Sequence, residues 1–125
     1  MRITRIWADE HGTSHFDDVE IDLESTDYAP PAPPFKVSAP FAAERALLFE
    51  FPVGWYGDWH PSPRRQLYFD LGGRLEVEVG DGEIRHMNPG DIALLEDVTG
   101  SGHVTRVVGD EPSRGLFVQL PEDAS

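Results

Sequence analysis

GWYGDWHPSPRRQLYFDLGG, residues 54–73, is the stretch on which the fold turns. Glycines bound it, an aromatic run leads to a histidine, a Pro-Ser-Pro break follows, and then the chain settles into a two-residue period. By that period Tyr68 and Asp70 share the face of Gln66, as alternate residues of a strand do. A strand of this kind, closed by Gly72-Gly73, needs partners on both sides, so the remaining chain is read for more of the same.

Outward from this stretch, period-two and β-rich runs recur at 2–7, 19–25, 35–39, 45–51, 65–71, 74–80, 91–96, 103–108 and 115–120. Turn signals separate them: Gly72-Gly73, Asp81-Gly82, Pro89-Gly90 and Gly109-Asp110. Glycine and proline number 12 and 11 and are spread throughout, and no stretch holds an i, i+3, i+4 apolar pattern between caps. Many short strands with regular turns imply an all-β sandwich or closed barrel, since closure removes exposed sheet edges. Within 74–87, Leu75, Val77 and Val79 point one way and Glu76 and Glu78 the other, and Asp81-Gly82 marks a tight hairpin. That strand covers a core with one wet face and carries no chemistry of its own.

YAPPAPPF, 28–35, cannot join a central strand because proline lacks the ladder N–H. It is expected as an extended polyproline-like strap over the barrel or over a neighbouring subunit. Residues 1–43 are expected to supply N-terminal strands and this strap, 44–120 the barrel core, and 121–125 a frayed tail, all in one domain.

Composition removes several classes of function. The formal net charge is −13, from 10 basic against 23 acidic residues. Such a surface repels phosphate backbones and anionic membranes, so neither nucleic acid nor lipid is an expected partner. The chain has no cysteine, which excludes disulfides, thiolate nucleophiles and cysteine-held metals. The opening residues lack an apolar secretory core and no apolar run approaches 18 residues, so a soluble cytoplasmic protein is expected.

Gly54-x5-His60-x-Ser62-x3-Gln66-x6-Gly73 and Gly90-x7-Val98-x-Gly100-x2-His103-x3-Val107 form two spaced motifs. With Pro89-Gly90-Asp91 between them, the stretch from about 44 to 120 resembles the cupin superfamily. The resemblance implies a double-stranded β-helix, a jelly-roll barrel that is usually a homodimer, with its site inside the barrel. It also implies a metal where that family places His, His, Glu and His. Those positions here hold His60, Ser62, Gln66 and His103.

Alternate strand positions face a lumen, so 60, 62 and 66, with 103 from a facing strand, can converge on one point. A 2-His-1-carboxylate set suits Fe, Mn, Ni or Zn because the carboxylate brings charge and leaves coordination sites open. In this chain the carboxylate is an amide and one imidazole is a hydroxyl, so no cofactor is favoured. His60, Gln66 and His103 remain the candidate ligands of a divalent transition metal. Without metal, His60 and His103 are a proton-transfer pair, with Gln66 and Tyr68 as orienting hydrogen-bond donors.

Trp55, Tyr56 and Trp59, with Ser62 and Arg65, are candidates to line a substrate pocket, the aromatics alternatively packing a core or an interface. Arg64 and Arg65 alternate, so one at most enters. Glu96 and Asp97 are candidates to pair with Arg106 or to orient His103. His11, His15 and His86 fall outside the motifs and are expected in water. The leading function is a cupin-type barrel binding a small organic molecule, an enzyme of non-redox acid–base chemistry such as isomerisation, cyclisation or elimination. A metal-dependent oxygenase-like or Lewis-acid enzyme and a non-catalytic metabolite-binding or sensory module are the alternatives.

Overall fold

The alternation becomes twelve strands in the computed structural model, which describes residues 1–122. They are β1 (Arg2–Ala8), β2 (Ser14–Glu20), β3 (Glu24–Thr26), β4 (Phe35–Val37), β5 (Arg45–Phe51), β6 (Tyr56–His60), β7 (Gln66–Gly72), β8 (Arg74–Glu78), β9 (Ile84–Met87), β10 (Ile92–Glu96), β11 (His103–Val108) and β12 (Ser113–Gln119). No helix occurs among the described residues. One wall of the barrel is a six-stranded sheet in the order β2-β1-β10-β7-β12-β5, and the other a four-stranded sheet, β6-β11-β8-β9. The fold is the jelly-roll double-stranded β-helix.

The two walls face each other across one principal core. The six-stranded sheet supplies Ile6, Phe16, Tyr68, Ala93 and Leu95, and the four-stranded sheet supplies Leu75, Val77, Met87 and Val107. On β8, Leu75 and Val77 point inward, while Glu76 and Glu78 point outward and bind the Arg106 guanidinium at 3.0 Å each. On β7 the inward set is Gln66, Tyr68 and Asp70. Its outward Leu67 joins Ile3 and Leu120 in a second cluster, against which Phe69, Ile92, Leu94 and Val118 pack. This outer face of the large sheet is therefore apolar too, whereas an antiparallel sheet with one wet face is ordinarily polar there.

Two expectations are corrected. The strand expected at 19–25 is split: β2 begins at Ser14, because pairing to β1 (Ile6 opposite Phe16, Ile3 opposite Val19) fixes its register, and β3 follows after a break. YAPPAPPF is no extended strap. Glu24 pairs with Val37 and Thr26 with Phe35, so 27–34 must reverse direction, and they form the turn of a small exposed hairpin containing a cis Pro30–Pro31 bond. β1 lies inside its own sheet, parallel to β10 and antiparallel to β2. The hairpin at Asp81-Gly82 forms, with Gly82 at φ 94°. Of the expected tail, 123–125 lie outside the described residues.

Candidate functional site

The Pro61–Arg65 segment decides which motif residues meet. Two prolines end β6 at His60, and β7 restarts only at Gln66, so the two-residue period does not run through 60, 62 and 66. His60 and Gln66 still enter the lumen from the ends of adjacent strands, but Ser62 sits in the connection. It is buried, its hydroxyl donates to the Arg64 carbonyl at 2.7 Å and its N–H to the Asp97 carbonyl at 2.9 Å. Ser62 ties the loop down and does not line the cavity.

His103 opens β11 directly opposite His60, with ring centroids 4.9 Å apart. A register shift in the β6–β11 pairing, between His103/His60 and Thr105/Gly57, inserts a residue into β6 and turns His60 onto the face of Gly57. Gly102 makes the approach possible: at φ 71°, a Cβ there would run into the His60 carbonyl. Gly57 serves similarly, leaving room for the Trp55 indole beside His60.

The His103 Nδ1–H donates to Asp97 Oδ2 at 2.6 Å, and both side chains are buried, Asp97 completely. The other carboxylate oxygen, Oδ1, is buried without a partner. The His60 Nδ1–H donates to the Asp58 carbonyl at 2.6 Å. Each imidazole thus has Nδ1 occupied and, among the described residues, Nε2 free. Gln66 is 5 % exposed, and its amide makes no hydrogen bond among the described residues.

These groups border a cavity of about 290 Å³ between the walls. Its polar rim is His60, His103, Gln66, Gln119 and Thr105, and its apolar walls include Phe51, Trp55, Phe117 and Leu75. Phe51 and Trp55 stack at 4.3 Å and 7°. The Tyr68 ring lines the cavity, while its hydroxyl donates to Asp70 Oδ2 at 3.1 Å. Burial, with the Asp70 charge beside it, pushes that phenol well above its usual range. Burial also raises Asp70 to about 6, against the hydrogen bonds from Tyr68 and the Gly72 N–H.

Three other expected pocket residues lie outside. Tyr56 is exposed and stacks under Arg106, because the extra residue in β6 breaks the alternation that would have aligned 56 and 58 with 60, and Trp59 is 44 % exposed. Arg65 binds Glu96 at 2.6 Å on the outer side of the sheet, and Arg5 binds the same carboxylate. Arg64 reaches Glu44 and the Leu120 carbonyl. Asp97 is the orienting acid of His103, while Glu96 serves Arg5 and Arg65 and Arg106 serves Glu76 and Glu78. His15, expected in water, is largely shielded between two carboxylates.

Sequence spacing did not single out Gln119 or Phe51. The signal was there in register: Gln119 pairs opposite Gln66, and Phe51 precedes Trp55 by one turn. As a metal centre the set is weak. Among the described residues no group of three or more His, Cys, Asp or Glu is arranged to hold a metal ion. Two imidazoles and a neutral amide lack the charge and donor strength of the usual transition-metal sets.

No family model matches the sequence, and no curated protein matches it. Solved structures do. The DMSP lyase DddQ from Ruegeria pomeroyi is 28% identical with a TM-score of 0.52, over 64% of this chain and 39% of that one, so this chain spans well under half its length. A Cupin 2 conserved barrel domain protein from Salinispora arenicola is 22% identical (TM-score 0.51, 82% of this chain and 76% of that one). The Cnp3 cupin domain from Schizosaccharomyces pombe is 16% identical (TM-score 0.52, 97% and 88%). These likenesses show the fold alone, a cupin-type barrel. No helix among the described residues is long and apolar enough to cross a membrane.

Proposed function

We propose that the protein binds a small organic molecule in the barrel lumen and moves a proton on it, as an acid–base enzyme of the lyase, isomerase or cyclase kind. The observation that carries this reading is the buried Asp97–His103 pair. A carboxylate on Nδ1–H fixes the imidazole tautomer and steadies the charge that develops when Nε2 takes a proton. His103 is then the base. His60, with its own Nδ1–H held by a backbone carbonyl, is the second proton carrier, and Gln66 orients the substrate by its free amide. The Trp55 and Phe51 stack and the Tyr68 ring form the wall. The lyase among the structural neighbours supports the reaction class by likeness of fold, which is weak support for chemistry.

Proton exchange tests it. Candidate carbonyl and phenolic compounds are incubated with the protein in deuterium oxide and followed by NMR. The expected result is deuterium entering a ligand carbon with the wild type and not with His103→Gln. Binding without exchange in either protein would instead support the metabolite-binding module. The metal-dependent alternative has its own check: protein loaded with Zn, Ni, Mn or Fe is dialysed and its metal content measured. Loss of the metal is expected. One ion per chain, retained and then lost in His60→Ala and His103→Ala, would make Gln66 a ligand and restore metal chemistry.

The homodimer is also a proposal, supported by the apolar outer face of the large sheet and by exposed Tyr28, Phe35 and Phe41 on and beside the β3–β4 hairpin. Light scattering tests it, and a monomer at working concentration overturns it.

A further inference from the structure

We infer that the lumen ligand is an uncharged hydroxyl compound, a phenol or an enol, bound with its O–H directed at Nε2 of His60 or His103. The inference rests on the lumen-binding reading and narrows it to a chemical class.

The first argument is hydrogen-bond parity. The partner of His60 Nδ1 is a backbone carbonyl, which can only accept, so Nδ1 must carry the hydrogen. Asp97 Oδ2 imposes the same tautomer on His103. A neutral imidazole with its hydrogen on Nδ1 offers a lone pair on Nε2. With both rings in the neutral form that moves a proton, two such lone pairs, on rings 4.9 Å apart, border the cavity and call for a donor. An ether or a ketone in its keto form brings only acceptors to them. Gln66, whose amide borders the cavity and makes no hydrogen bond among the described residues, can both give and receive, so it suits a second oxygen on the same molecule.

The second argument is charge. Among the described residues, no Lys, Arg, Asp or Glu lines the cavity. An anion would meet two lone pairs, with the Asp97 carboxylate behind one of them and no cation in reach. A cation would shed its hydration without touching an anionic oxygen, because the one nearby carboxylate stands behind His103. A neutral ligand avoids both penalties. The third argument is shape. About 290 Å³ is at the lower edge of the ~300–1,000 Å³ usual for small-molecule pockets. The stacked Phe51 and Trp55 present a flat face, so the body of the ligand is one planar ring or a small conjugated unit.

A phenol or enol also closes the logic of the dyad. The O–H proton passes to Nε2 of His103, the O–H electron pair stays on oxygen and delocalises into the ring or double bond, and carbon becomes the site that can later be protonated.

The test uses four probes on one body: p-cresol, its methyl ether, p-toluate and p-methylbenzylammonium. Each is titrated into nitrogen-15-labelled, chelator-washed protein and followed by NMR, including the imidazole nitrogens. p-Cresol is expected to bind about tenfold tighter than the ether, the worth of one hydrogen bond to a buried acceptor. It should shift one Nε2 resonance that the ether leaves in place, and the two ions should bind no better than the ether. Equal affinity for p-cresol and its ether overturns the hydroxyl requirement. Tighter binding of p-toluate or p-methylbenzylammonium overturns the charge argument while leaving lumen binding intact. Failure of all four to perturb any lumen residue overturns this inference and the lumen-binding reading together.

Discussion

Two histidines in this protein are held by aspartates, and they are held to opposite ends. His15, on β2, has a carboxylate on each ring nitrogen: Asp9 at 2.7 Å and Asp81 at 2.8 Å. Its ring lies against Trp7, which in turn lies under Arg5, and its two acids join the β1–β2 turn to the β8–β9 turn. His103 has one carboxylate, fully buried, and its other nitrogen faces a cavity. A neutral imidazole has one N–H, so an imidazole bonded twice to carboxylates is satisfied only when charged. His15 is a fastener with nothing left to react. His103 keeps a lone pair in reserve, and that difference separates a histidine that holds a turn from one that can handle a proton.

The largest expected effect falls on the buried side of the comparison. His103→Ala leaves Asp97 without its only side-chain partner, and breaking a buried pair costs about 3–5 kcal/mol. Urea unfolding at neutral pH measures it, and Asp97→Asn combined with His103→Ala should recover part of the loss. If His15→Ala costs as much as His103→Ala, the contrast between the two sites collapses.

Asp70 sharpens the contrast from another direction, as a buried acid with hydroxyl and backbone donors but no imidazole. Its folded value of about 6 lies above the ordinary 3.8, so the folded state holds that proton more tightly than the unfolded chain does. The Asp70 contribution to stability is therefore fully present below about 4, declines as pH rises toward 6, and is flat beyond. Melting curves across that window should show the decline in the wild type and its absence in Asp70→Asn. An unchanged slope in the variant would remove Asp70 as its source.

The smallest effect belongs to the fastener. The Asp9 hydrogen bond, then that of Asp81, raises His15 above 6.5, and the His15 hydrogen bond first among several lowers Asp9 to about 2. The His15 contribution is present below 6.5 and is lost as pH rises through its folded value. The Asp9 contribution is present above 3.8 and is lost as pH falls toward 2. His15→Gln should flatten both shoulders of the melting profile by amounts well under the His103→Ala loss, because partly exposed pairs are screened by water. Shoulders that survive the substitution would assign them elsewhere.

How much of this was legible in the sequence depended on whether a strand ran unbroken. Along β7 and β8 the period of two held, and Gln66, Tyr68, Leu75 and Val77 point where alternation puts them. His60 and His103 were found by spacing, as both lie at strand ends that the motif glycines hold together. Tyr56 and Ser62 were misplaced for one kind of reason. An inserted residue in β6 and a proline-flanked break after it reset which face is inward, and neither leaves a mark in hydrophobic pattern. Asp97 was visible only as one of two neighbouring acids. Choosing between them needed the third dimension, in which Glu96 turns outward to Arg5 and Arg65 and Asp97 turns inward. The reversal at 27–34 was hidden because proline content bars a central strand without saying which way the chain bends.

The cavity has one more consequence. Eight of the ten buried residues of the principal core line it: Ile6, Phe16, Tyr68, Leu75, Val77, Met87, Ala93 and Leu95. The same side chains therefore pack the barrel and set the room inside it, and the packing between them is incomplete. Growing Ala93 or its neighbours into that space would add packing and take room away, so heat resistance and internal volume are set against each other by the same side chains.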